Sequence, residues 1–281
     1  MDAITPSRQL AEPVLAHLRL AQTVASETED RTQRARLASA ASEAASLAGW
    51  LSWDMGDYGS ARTWYGTAIR AARSSGNKLL GAYQIGSLAQ FEAHAGNAAQ
   101  GLAHVRSARR QLGHTPPAVA DAWLFTIAAL AHAAAGDRPA ADQALRCAEE
   151  RATRIPTDDT PPWPWVFPFT GSKVAASRLA CGARLGHPEW VFASQDDAAP
   201  VLTSGHDKQR ALYVLDLASA HLASGRLDGA FALATKAVET GVRYRSGRIV
   251  ERARALRRSY TSPTPPKIVR DFDDKLYGIY L

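Results

Sequence analysis

Residues 47–68 read LAGWLSWDMGDYGSARTWYGTA, and the Gly56-Asp57 pair at the centre of this stretch decides the fold. An Ala/Leu-rich run leads into the pair and another leaves it. Glycine adopts the left-handed backbone that ends a helix, and an aspartate just after it accepts the orphan amide protons of the next one. The stretch therefore predicts two helices joined by a tight turn. Gly49, Ala61 and Ala68 are small enough to let the two approach closely, while Tyr58 and Tyr65 are bulky enough to fill the space towards a neighbouring pair. The same punctuation recurs at Gly96-Asn97, Gly136-Asp137, Gly186-His187 and Gly225-Arg226, with glycine spacings of 40, 40, 50 and 39 residues. Asp57, Asn97 and Asp137 are the expected N-caps, and Pro139 and Pro188 fit a first helical turn, where a missing N–H costs nothing.

This pattern resembles the tetratricopeptide repeat, most fully around Gly56. It persists in Ala141, Leu145 and Ala148 and in Ala230, Ala234 and Ala237, and is faintest at Val191, Gln195 and Ala198. A period near 40 residues implies longer helices or linkers than the usual unit of about 34 residues. The resemblance implies an all-α, right-handed superhelix of about five helix pairs over residues 31–243. Leu10, Val14, Leu18, Ala21 and Ala25 recur at helical spacing and predict an N-terminal capping helix within residues 1–30. Residues 244–281 supply capping helices at the other end. Ile249, Ala253, Leu256 and Tyr260 share one helix face, and after a proline-rich break Ile268, Phe272, Leu276 and either Ile279 or Tyr280 share another.

Composition agrees with helix. Alanine, the best helix former, makes up about a fifth of the chain. With 46% hydrophobic and 21% charged residues the chain resembles a folded protein and not a disordered one. No apolar run is long enough for a membrane span, and the first thirty residues carry no export signal, so a cytoplasmic location is expected. Two cysteines, Cys147 and Cys181, exclude a disulfide framework and a four-cysteine zinc site. No zinc-protease, phosphate-loop, dinucleotide-binding or paired-cysteine motif occurs, and no metal or cofactor is called for.

The order of features also resembles the C-terminal sensor region of actinobacterial XRE-type transcriptional regulators. The resemblance rests on Leu47-Ala48-Gly49-Trp50 through Gly56-Asp57, the Pro/Trp segment from Pro161 to Phe169, the Gly186 break, and Val250-Glu251-Arg252-Ala253 through Asp271-Phe272-Asp273. It implies a non-catalytic regulatory module that binds a peptide or small molecule and signals through a homodimer or a protein partner. Residues 1–45 hold no helix pair of the DNA-reading type, so direct DNA binding is not expected.

In such a superhelix the first helix of each pair lines the concave groove. The candidate ligand-binding residues there are Glu43, Trp50, Trp53, Asp54, Tyr83, Gln90, His94, Trp123, Lys173 and Arg184. Trp50 and Trp53 serve equally as core. Trp163 and Trp165, in the proline-rich stretch from Pro156 to Phe169, form either a ligand wall or a plug between repeats. The alternative is a stand-alone enzyme or tailoring factor of a biosynthetic pathway with a pocket under this loop. His132 and His221, each four residues before a break glycine, read as packing residues. Residues 243–258 carry seven arginines against Glu251, either a solvated capping helix or a surface for an acidic partner.

Overall fold

The structure is a computed structural model that describes residues 4–156, 169–202 and 205–279. Among the described residues there are thirteen α-helices and no strand. They are α1 (Ser7–Glu27), α2 (Arg31–Asp54), α3 (Tyr58–Ser75), α4 (Lys78–His94), α5 (Ala98–Leu112), α6 (Ala118–Ala134), α7 (Arg138–Ala152), α8 (Gly171–Leu185), α9 (Pro188–Leu202), α10 (Asp207–Ala223), α11 (Leu227–Arg243), α12 (Gly247–Arg258) and α13 (Lys267–Tyr277).

Gly56, Gly96, Gly136, Gly186 and Gly225 each stand between two helices with φ from 69° to 88°. In every case the next residue's N–H reaches back five residues: Asp57 to the Ser52 carbonyl, Asn97 to Glu92, Asp137 to His132, His187 to Gly182 and Arg226 to His221, all at 2.9 Å. This is the Schellman closure, which satisfies carbonyls the helix end would otherwise orphan. A sixth closure, Ser246 N–H to the Gly241 carbonyl at 2.8 Å, ends α11. There the left-handed residue is Arg245, at φ 49°.

Asp57 and Asp137 cap α3 and α7 by accepting from Ser60 N and Ala140 N. Asn97 departs from that expectation. Its side chain makes no cap bond and instead donates to Glu92 Oε2 at 2.6 Å.

The chain forms two compact units. The first comprises the described residues of Leu10–Trp53 and Asp57–Val174. Leu18 of α1, Ala45 of α2 and Ala68 of α3 meet in one cluster. The small side chains matter because a Cβ on Gly49 would stand 3.2 Å from the Tyr65 ring. Tyr58, Tyr65 and Trp53 surround Phe91 of α4 at centroid distances of 5.7–5.8 Å, so the tyrosines do fill the space towards the next pair. Further along, α4 packs on α5 and α6, and α6 on α7.

The second unit comprises the described residues of Met1–Gln9, Asp54–Gly56 and Ala175–Leu281. Its main core joins Leu215 of α10, Phe231 of α11, Ile249 and Val250 of α12, and Phe272 and Leu276 of α13. Phe231 and Phe272 meet edge to face at 5.3 Å. Burying each of these large apolar side chains contributes about 2 kcal/mol.

Candidate ligand-binding face

The first helices of three successive pairs lie side by side in the first unit. Gln84 Nε2 donates to the Ser42 carbonyl at 3.4 Å, and the Trp53 and His94 rings are 5.1 Å apart. The two cross-links lie at corresponding heights on α2 and α4, so these helices run parallel in near register. Tyr83 of α4 stacks on Trp123 of α6 at 5.5 Å and 28°. Gly86 makes that stack feasible, since a Cβ there would come within 2.4 Å of the Trp123 ring.

This register brings Glu43, Tyr83 and Trp123 into one row across α2, α4 and α6. Residues seven apart share a helix face, so Trp50 and Gln90 form the next row. Glu43 is exposed, and Trp50, Tyr83, Gln90 and His94 are half-buried. Burial pushes the Tyr83 phenol above its ordinary pKa; Ser87 opposes this and the Glu43 carboxylate adds to it.

The remaining candidates fall elsewhere. Trp53 is 2% exposed, closed in by the rings of Trp50, Phe91 and His94, and so belongs to the core. Trp123 is 7% exposed and offers a ligand little beyond its support of Tyr83. Lys173 is exposed on the first turn of α8. Arg184 is half-buried in the second unit, where its charge acts on Asp216 and Cys181. Trp163 and Trp165, and with them residues 157–168, lie outside the described residues.

Asp54 is 4% exposed and belongs to a buried polar node of the second unit. Its Oδ2 accepts from Ser7 Oγ at 2.5 Å and Lys208 Nζ at 2.8 Å, and its Oδ1 from Ser246 Oγ at 2.6 Å. A carboxylate with three donors, one of them cationic, is a structural group and not a ligand contact.

Sequence reasoning missed a series of acids buried on first helices. Glu92 accepts from Arg62 at 2.6 and 3.0 Å, and the same guanidinium lies 5.4 Å from the Phe91 ring. Asp121 pairs with Arg109 at 3.1 Å and Arg151 at 2.8 Å, with Arg109 4.1 Å from the Phe125 ring. Asp216 of the second unit pairs with Arg252. The available signal was an acid within four residues of an aromatic in an Ala-rich helix, as in Phe91-Glu92 and Asp121 with Phe125.

Much of the arginine-rich stretch 243–258 is used within the protein. Arg257 grips both oxygens of Asp273 at 2.6 and 2.9 Å, and Arg254 binds Glu251 and the Ile279 carbonyl. Arg248 is buried, which leaves Arg243, Arg245 and Arg258 exposed. Burial pushes the Cys181 thiol up to about 12, so it is no nucleophile near neutral pH. Among the described residues no group of three His, Cys, Asp or Glu side chains is placed to hold a metal, and no helix is long and apolar enough to cross a membrane.

The chain is similar to BtubC (BKLC) from P. vanneervenii, known from a crystal structure, with a TM-score of 0.53 and 15% identity. The match covers 94% of this chain and 96% of that one. At that identity the likeness shows the fold alone, an all-α helical-repeat architecture. No protein-family model and no curated protein matches the sequence.

Proposed function

We propose that this chain is a non-catalytic binding module, a cytoplasmic regulatory sensor that takes a peptide or small molecule on the first-helix face of α2, α4 and α6. The observation that carries the reading is the set of half-buried Trp50, Tyr83, Gln90 and His94 with the exposed Glu43 on adjacent, parallel helices. Aromatic faces set among a few polar groups are the usual lining of a ligand site. The resemblance to XRE-type sensor regions supports a signalling output through a homodimer or a protein partner.

Native mass spectrometry of the purified chain, before and after denaturing extraction, tests the proposal. A bound peptide or small molecule that is retained by the wild-type chain and lost in Trp50→Ala or Gln90→Ala is the expected result. A ligand held equally by all three proteins would place binding elsewhere. Empty chains throughout, at the mass of one polypeptide, would remove both the ligand and the dimer.

A further inference from the structure

Helices α3, α4 and α5 of the first unit carry seven Lys and Arg side chains and a single acid, Glu92. That excess of six positive charges equals the net charge of the whole chain. Two of the seven are paired inside the fold, Arg62 with Glu92 and Arg109 with Asp121 of α6. The other five, Arg70, Arg73, Lys78, Arg106 and Arg110, are exposed. Arg70 donates to the Thr67 hydroxyl, and the remaining four meet no acid among the described residues. The fold gathers the five at one end of the unit. Lys78 follows Arg73 across the Gly76-Asn77 turn, and Gln111 Nε2 donates to the Lys78 carbonyl at 2.9 Å, which draws the last turn of α5 to the first turn of α4. Arg70 and Arg73 are three residues apart and Arg106 and Arg110 four, so each pair shares a helix face. The negative end of a helix favours a cation in its last turn, which accounts for Arg73 and Arg110. It does not account for Arg70 and Arg106, a turn further in, and still less for Lys78, which opens α4 where the positive end opposes it. Exposed like charges gathered without an internal counter-charge are the electrostatic footprint of an anionic partner.

We infer that this edge of α3, α4 and α5 docks a segment of a partner protein rich in Asp and Glu. Four of the five cations are arginines, whose guanidinium fork meets a carboxylate with two parallel hydrogen bonds. A nucleic-acid strand would also call for rings on which its bases stack, and a membrane for apolar side chains that enter it. The large exposed apolar side chain of these three helices is Tyr58, at the opposite end of α3 from Arg70 and Arg73. The inference needs no ligand on the first-helix face.

The test uses the full chain with two fluorescein-labelled probes of equal charge, blocked deca-glutamate and a mixed-sequence DNA single strand, each followed by anisotropy at low and at physiological salt. One variant combines Arg73→Gln, Lys78→Gln and Arg110→Gln. A control combines Arg243→Gln, Arg245→Gln and Arg258→Gln, which removes the same charge from exposed positions of the second unit. Deca-glutamate is expected to bind at low salt and to weaken as salt rises. Its affinity should fall about tenfold in the first variant and less than about twofold in the control. All six side chains are exposed, so both variants should keep the thermal transition of the wild-type chain. Equal weakening in the two variants would show attraction by net charge alone and overturn the edge, as would the absence of deca-glutamate binding at low salt. The DNA strand bound more tightly than the peptide, and lost in the first variant, would make the edge a nucleic-acid surface and overturn the protein partner. Empty chains in native mass spectrometry would remove the ligand of the first-helix face and leave this edge standing.

Discussion

Glu92 and Asp216 are both buried acids facing arginine, yet they shift in opposite directions. For Glu92 burial alone would raise the pKa, but hydrogen bonds from Arg62 and Asn97 outweigh it and hold the carboxyl below its ordinary 4.5. For Asp216 burial outweighs the pull of Arg252, Arg184 and Arg248, and the carboxyl stands above its ordinary 3.8. Linkage gives the two opposite slopes. Between the lowered folded pKa of Glu92 and 4.5, the unfolded chain binds more protons, so the Glu92 contribution is complete above 4.5 and lost as pH falls through the folded pKa. For Asp216 the folded chain binds more protons between 3.8 and its raised pKa, so its contribution declines as pH rises through that window. Glu92→Gln is expected to cost about 2 kcal/mol at neutral pH, less than a fully buried pair because Arg62 is half exposed, and to lose less stability on acidification. Urea titrations across the acid range check it; parallel curves for the two proteins would refute it. At this scale the sequence was only partly legible. Spacing placed Glu43, Trp50, Tyr83 and Gln90 on one surface, but it did not separate Trp53 and Trp123 from them. Helices α4 and α6 are buried on nearly every side, polar residues such as Gln84, Glu92 and Asp121 included, so helical periodicity marks no single inner face there.

At the scale of elements, the breaks were legible because each combines a glycine with a local chemistry that needs no tertiary partner. Gly56, Gly96, Gly136, Gly186 and Gly225 all close a helix in the left-handed region. The boundary between α11 and α12 has the same closure without the glycine, and a search for glycine spacing passes over it. Arg245 holds φ 49° there, a conformation that costs an L-residue about 1 kcal/mol or more. Arg245→Gly is therefore expected to stabilise the chain by about 0.5–1 kcal/mol after the added freedom of glycine in the unfolded state is subtracted. A raised midpoint in thermal or urea unfolding confirms this; a lowered one would show that the Arg245 side chain contributes more than its backbone strain. Gly76 and Gly113, also left-handed, mark turns between pairs, and their spacing does not join the 40-residue series.

For the whole molecule, the Asp54 node joins residues that the sequence gives no reason to connect. Ser7, Asp54, Lys208 and Ser246 lie on or beside α1, α2, α10 and α12, and no local pattern encodes a meeting of groups this far apart. Close backbone approach reinforces it, since a Cβ on Gly247 would stand 2.5 Å from the Met55 carbonyl oxygen. Removing one member of a buried ion pair strands the other, so Asp54→Asn and Lys208→Met are each expected to cost about 3–5 kcal/mol. The double variant should cost clearly less than the sum of the two. A double-mutant cycle by urea unfolding measures the coupling, and additive losses would show that Asp54 and Lys208 act independently.

The sequence separation of this node also bears on the order of events in folding. Each helix pair closes over a turn of a few residues, whereas Lys208 reaches Asp54 across 154 positions and Ser246 reaches it across 192. Contacts that must first close so long a loop form late, after the local pairs have appeared. Interactions absent from the transition state govern escape from the native state and not arrival at it. Asp54 thus acts as a brake on unfolding: its loss would shorten the lifetime of the folded chain while leaving the refolding rate nearly unchanged.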